Sequence, residues 1–153
     1  MTRLMSTCAL VTLFAGPASA DALLDRFLVA QQEFHDNMTD FYVSRAPQLE
    51  GKFPDFLADE EGRAAMICGF EHIRAETGAA GAEEFVAWLE EAAATPFESL
   101  EDLSGAPDGA IGDAMRGSID VCNSIEISQR LMAASGFMEA FSDPEVMQQL
   151  IAE

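Results

Sequence analysis

Apolar side chains recur at three- and four-residue steps along most of this chain, a spacing typical of amphipathic helices. The first stripe spans residues 22–46 and comprises Leu24, Phe27, Phe34, Met38 and Phe41. Gln31 occupies a position of this stripe that would ordinarily be apolar. Pro47 follows the stripe and predicts where the first helix ends.

Similar patterns predict helices over residues 59–77, 82–94, about 95–103 and 110–135, with a last short helix after Ser142. Turns are predicted at 78–81 and 104–109, where glycine and proline cluster. Two helix starts carry the spacing of a capping box, Thr95 with Glu98 and Ser142 with Glu145. Gly62 predicts a weak point, since a glycine inside a helix costs about 1 kcal/mol relative to alanine. The chain therefore reads as all-α, a single small helical bundle of five to six helices.

Cys68 lies in the middle of the second predicted helix, which has a bulky stripe on one side and small residues on the other. The small side comprises Ala64, Ala65, Cys68, His72 and Ala75. Small residues let a neighbouring backbone approach closely, and a disulfide needs Cα atoms about 5.5–6 Å apart. Cys122 falls in the apolar stripe of the long helix over 110–135, which should direct it into the core. We therefore predict a Cys68–Cys122 disulfide.

A metal or redox site is the alternative interpretation of Cys68. Cys68 and His72 are four residues apart, which suits two ligands to one ion on a helix. Cys122 and His35 are the remaining candidates for such a site, and Glu76 stands one turn after His72. A soft-metal site normally needs four ligands, so the disulfide is favoured, and no metal is predicted.

Residues 1–20 have the pattern of a secretory signal peptide. Arg3 precedes a mostly apolar run that is too short to cross a membrane, and Ala18-Ser19-Ala20 forms a small-x-small cleavage site. Cleavage after Ala20 would remove Cys8 and leave two cysteines, an even number that suits an oxidising compartment. We expect a periplasmic or secreted protein whose mature part, residues 21–153, is one acidic helical domain without a membrane span.

The chain is strongly acidic, with 27 Asp and Glu against 8 Lys and Arg and a formal net charge of −19. This balance argues against nucleic acid as a partner, because phosphates need cations opposite them. It also argues against docking on anionic lipid. Seven of the eight basic residues are arginine, and together with the abundant alanine, glycine and glutamate this composition favours a GC-rich bacterial source.

No motif for catalysis or for a cofactor is present in the sequence. Phosphate-binding loops, dinucleotide glycine patterns, Cys-x-x-Cys and haem attachment motifs are all missing. No catalytic residue and no cofactor is therefore predicted.

The sequence is compatible with three functions. The leading hypothesis is an exported, non-enzymatic binding or interaction protein with a protein partner or a small ligand. The alternative is a periplasmic carrier of a metal or small ligand that uses His72, His35 or Glu76. A small hydrolase of unfamiliar type is the third, and it requires a pocket in which His35 or His72 meets a carboxylate and a hydroxyl.

Overall fold

The computed structural model describes residues 18–151, most of which lie in helices. The α-helices are α1 (Ala18–Arg45), α2 (Glu60–Ala94), α3 (Gly109–Val121), α4 (Ser124–Ala134), α5 (Phe137–Phe141) and α6 (Pro144–Ile151). Short 3₁₀ turns lie at Pro47–Leu49 and Asp102–Ser104. No β-strand occurs within this range, and the predicted all-α bundle is confirmed. Positions 1–17 of the predicted signal peptide, including Cys8, are outside the described residues.

The main core lies where α1, α2 and α3 pack together. Its buried members are Leu23, Phe27, Ala30, Phe70, Ile73, Ala82, Phe85, Val86, Leu89, Ile111 and Ala114. At its centre the rings of Phe27 and Phe70 stack with their centroids 4.9 Å apart. The stripes that define α1 and α2 in the sequence therefore meet each other, and their burial holds both helices in place.

A second core joins the end of α1 to the last two helices. Its buried members are Ala46, Leu49, Phe137, Val146 and Leu150. Phe53, from the segment after α1, packs on Phe137 with ring centroids 4.6 Å apart. Tyr42 lies in the same cluster, and its burial raises the pKa of its hydroxyl. The C-terminal helices thus fold back onto α1.

The predicted disulfide is present and joins α2 to the end of α3. Cys68 bonds Cys122 with Cα atoms 5.8 Å apart. Cys122 is the C-cap residue directly after α3, and it is 7% exposed. The small side of α2 is covered only in part: Cys68 forms this bond and His72 faces Gly117 of α3, whereas Ala64 and Ala75 are exposed.

The helix stop predicted at Gly78 is confirmed, because this residue has a non-helical backbone with φ +74° and ψ −177°. The range α2 therefore comprises two helices that meet at a kink at Gly78, and the turn predicted over 78–81 is confined to that residue. One predicted helix boundary is wrong. The single helix expected over 110–135 is two helices, because Asn123 has a φ of +53° and separates α3 from α4. Asparagine is one of the few residues that adopt this left-handed conformation readily. Ile125, which follows this break, is exposed.

The short α-helix expected over 95–103 does not form. This segment contains the 3₁₀ turn at Asp102–Ser104 instead. The Thr95 hydroxyl donates to the Glu91 carbonyl at the end of α2 instead of capping a new helix. The Asp102 carboxylate accepts from the N–H groups of Glu98 and Ser99, and these bonds lower its pKa. Local side-chain hydrogen bonds thus replace the helical ones here.

The start of α6 is also capped differently from the prediction. The Asp143 carboxylate accepts from the Glu145 N–H, whereas the Ser142 hydroxyl donates back to the Met138 carbonyl. An aspartate is a stronger acceptor than a serine hydroxyl, so it displaces the expected capping box at this position.

Arg26 links α1 to the acidic outer face of α2. Its guanidinium donates to both carboxylate oxygens of Glu90, at 2.9 and 2.8 Å, and also binds Glu83. The hydrogen bond from Arg26 lowers the pKa of Glu90, and the two glutamates raise the pKa of Arg26. Part of the acidic face is therefore neutralised within the chain.

Within the described range no helix combines the length and the hydropathy that crossing a membrane requires.

Candidate ligand-binding cavity

Two neighbouring chambers lie among α1, α2, α3, α4 and the segment that precedes α2. The first has a volume of about 170 Å³ and the second of about 200 Å³. The residues that border both chambers are Gln31, Phe56, Met66 and Ser128. We call the two chambers together the bundle cavity. An apolar cavity of about 150 Å³ is enough to hold benzene, so each chamber has room for a small aromatic molecule.

The wall of the first chamber is apolar and carries no charged side chain among the described residues. Its apolar members are Phe27, Phe56, Ala65, Met66, Phe70, Ile73, Phe85, Met115 and Ile127. Its polar members are the neutral side chains of Gln31, Ser118, Ser124 and Ser128. A predominantly apolar wall with a few polar groups is typical of sites for small organic ligands.

The second chamber is more polar and lies nearer the loop between α1 and α2. Apart from the shared residues, its wall consists of Gln32, Phe34, His35, Met38, Asp55 and Leu57. The described residues of this wall include no lysine or arginine. An anionic ligand would therefore find no cation in either chamber.

Phe56 closes one side of both chambers, and its position follows from the local sequence. Asp55 accepts from the N–H groups of Leu57 and Ala58, which folds a tight turn around Phe56. Asp59 then caps α2 by accepting from the Gly62 N–H. A Cβ atom at position 62 would lie 2.4 Å from the Phe56 carbonyl oxygen. Gly62 is thus a close-approach position and not the simple weak point that its sequence context predicts.

His35 stands in the wall of the second chamber with its side chain 14% exposed. Its Nε2 is 3.0 Å from the Pro54 carbonyl oxygen. A carbonyl can only accept, so Nε2 carries the hydrogen and donates it. Nδ1 is buried without a hydrogen-bond partner and lies 3.6 Å from Asp36 Oδ1. His35 therefore holds the segment before α2 against α1, and its Nε2 is not available to take a proton from a hydroxyl.

The other candidate residues lie apart from His35. His72, on α2, faces α3, where its Nε2 would be 3.2 Å from a Cβ atom at Gly117. Glu76 is exposed one turn further along α2. Cys68 and Cys122 are joined to each other, so neither can supply a thiolate to a metal. In the part of the chain that is described, His, Cys, Asp and Glu form no group of three or more suited to a metal ion.

Comparison with known proteins does not bear on this arrangement, because no family model, curated protein or solved structure matches the chain.

The bundle cavity itself was not predicted from the sequence, although the predicted candidate His35 borders its second chamber and Gln31 gave a further signal. Gln31 interrupts the apolar stripe of α1, and it is this side chain that borders both chambers. A polar residue at a core-facing position is a local inconsistency of the kind that functional sites produce.

Proposed function

We propose that this chain is an exported, non-enzymatic helical protein that binds a small, mostly apolar ligand in the bundle cavity. The observation that carries the proposal is the first chamber, an apolar space of about 170 Å³ bordered by four helices and without a charged wall residue among those described. A concave space with mostly apolar walls and a few polar groups is the usual form of a small-ligand site.

The choice among the three hypotheses follows from the geometry. A soft-metal carrier would need the thiolates that the Cys68–Cys122 bond consumes. A hydrolase built on His35 would need a hydroxyl that donates to Nδ1, and this nitrogen has no hydrogen-bond partner. The interaction-protein hypothesis stays a prediction. The large exposed apolar side chains belong to several different elements: Val29, Leu100, Val121, Ile125, Met138, Met147 and Ile151. The small-ligand form of the carrier hypothesis is the one that the cavity supports.

The test is a calorimetric titration with naphthalene, a neutral two-ring probe. We expect submillimolar binding by the wild-type protein. The substitution Ala65→Leu places three further carbons in the wall of the first chamber and should weaken binding at least about tenfold, which corresponds to about 1.4 kcal/mol.

The matched control is Ala64→Leu, the same change at the preceding position of α2, where the side chain is exposed. It should bind naphthalene as the wild type does. Absence of naphthalene binding by the wild type, or equal weakening by both substitutions, would contradict the proposal.

A further inference from the structure

The wall shared by the two chambers carries two neutral polar side chains, Gln31 and Ser128. Gln31 lies in α1 one turn after Phe27 and one turn before Phe34, within a stripe that otherwise packs against α2 and its neighbours. A polar group placed against an apolar interior costs free energy unless something pairs with it. Gln31 and Ser128 are half-buried, so a ligand that covers them removes their polar groups from water, and a polar group of the ligand at this junction would offset that cost.

The chemistry of this junction defines what it can pair with. The glutamine amide both donates and accepts hydrogen bonds, and so does the serine hydroxyl. Neither side chain is charged. Among the described residues, no lysine or arginine borders either chamber. The formal net charge of −19 further disfavours an anion.

A cation is not favoured either. The carboxylate on the cavity wall belongs to Asp55 in the second chamber, and its Oδ1 already accepts two backbone N–H groups. The first chamber, where an apolar body would lie, has no carboxylate among its described wall residues.

We infer that the ligand is a neutral, mostly apolar molecule with one hydroxyl- or amide-type group, which binds between Gln31 and Ser128 while the apolar body fills the first chamber. This inference rests on the proposed function and adds to it the chemical class of the ligand.

The test compares two probes of nearly the same shape, 2-naphthol and 2-methylnaphthalene, by titration calorimetry. Water hydrates the hydroxyl far better than the methyl group, so a site without a polar partner would prefer 2-methylnaphthalene. We expect the wild-type protein to bind 2-naphthol about tenfold more tightly, because one buried hydrogen bond forms at the junction.

The decisive variant is Gln31→Met, which keeps the length of the side chain and completes the apolar stripe of α1, so the helix should still fold. Its preference should reverse in favour of 2-methylnaphthalene. Gln129→Met, the same change at an exposed position of α4, should keep the wild-type preference. The substitution Ser128→Ala should reduce the preference without reversing it, since Gln31 remains.

The outcomes separate this inference from the proposed function. Equal affinity of the wild type for both probes, or a preference that survives Gln31→Met, would overturn the inference alone. Tighter binding of 2-naphthylmethylammonium than of 2-naphthol would overturn the neutral class of ligand. Failure to bind any of these probes would overturn both.

Discussion

Two glycines of α2 lie seven residues apart and differ in what a side chain would meet. A Cβ atom at Gly62 would collide with the Phe56 carbonyl oxygen at 2.4 Å, whereas one at Gly69 would make an ordinary contact with Ser118 Oγ at 3.6 Å. Gly69→Ala should raise the free energy of unfolding by about 0.5–1 kcal/mol, because alanine favours the helix. Gly62→Ala should lower it by about 1–3 kcal/mol, because the turn around Phe56 must move.

Urea unfolding of the two variants measures this difference directly, since both carry the same substitution in the same helix. Effects of the same sign would contradict the role assigned to Gly62 as the position that admits Phe56 to the cavity wall.

The hydrogen bonds of the Asp102 carboxylate can be tested through the pH dependence of stability. Its pKa in the folded chain is lowered by the N–H groups of Glu98 and Ser99. Its contribution to stability is therefore present above the unfolded value of about 3.9 and is lost as the pH falls through the folded value. Asp102→Asn should lower the thermal midpoint at pH 7, and the difference from wild type should shrink below about pH 4.

Asp108→Asn is the control for the change in net charge, because Asp108 is exposed and its side chain caps no helix. It should follow the wild type at both pH values. A difference for Asp102→Asn that persists unchanged in acid would show that the carboxylate hydrogen bonds are not its cause.

At the scale of elements, the disulfide fixes α2 to the junction of α3 and α4. Cys68 and Cys122 are 54 positions apart, and closing a loop of that length stabilises a fold by about 4 kcal/mol in the chain-entropy estimate. We expect the double variant Cys68→Ser, Cys122→Ser to lose about that much in urea unfolding. Because Gly69 and Ser118 border the first chamber next to this bond, naphthalene binding should weaken as well.

Reduction of the wild type with a thiol is the matched experiment, and it should reproduce the stability of the double variant. A reduced protein that is as stable as the oxidised one would contradict the structural role of the bond.

The sequence predicted the elements well where burial decides them and poorly where a single local contact does. The stripe from Phe27 to Phe41 could be predicted directly, because side-chain periodicity reflects which face is covered. The break at Asn123 depends on one backbone angle, and the loss of the helix after Thr95 depends on Asp102 capturing two N–H groups. Periodicity carries neither kind of information.

At the scale of the whole molecule, the cavity could not be read from the chain at all. Its walls come from α1, α2, α3, α4 and the turn at Phe56, so its volume depends on how tightly these parts pack together. The predicted candidates His72 and Glu76 lie on α2 but do not border the described chambers. The predicted candidate His35 does border the second chamber, and Gln31 gave a further signal as a polar residue in an apolar stripe.

The most direct test of the account is the response of the methionine methyl groups to naphthalene in an NMR spectrum. Met38, Met66 and Met115 border the bundle cavity, whereas Met138 and Met147 are exposed on α5 and α6. We expect the ring current of bound naphthalene to shift the signals of the first three and to leave the other two in place. Shifts confined to Met138 and Met147, or no shift at all, would contradict a ligand site inside the bundle.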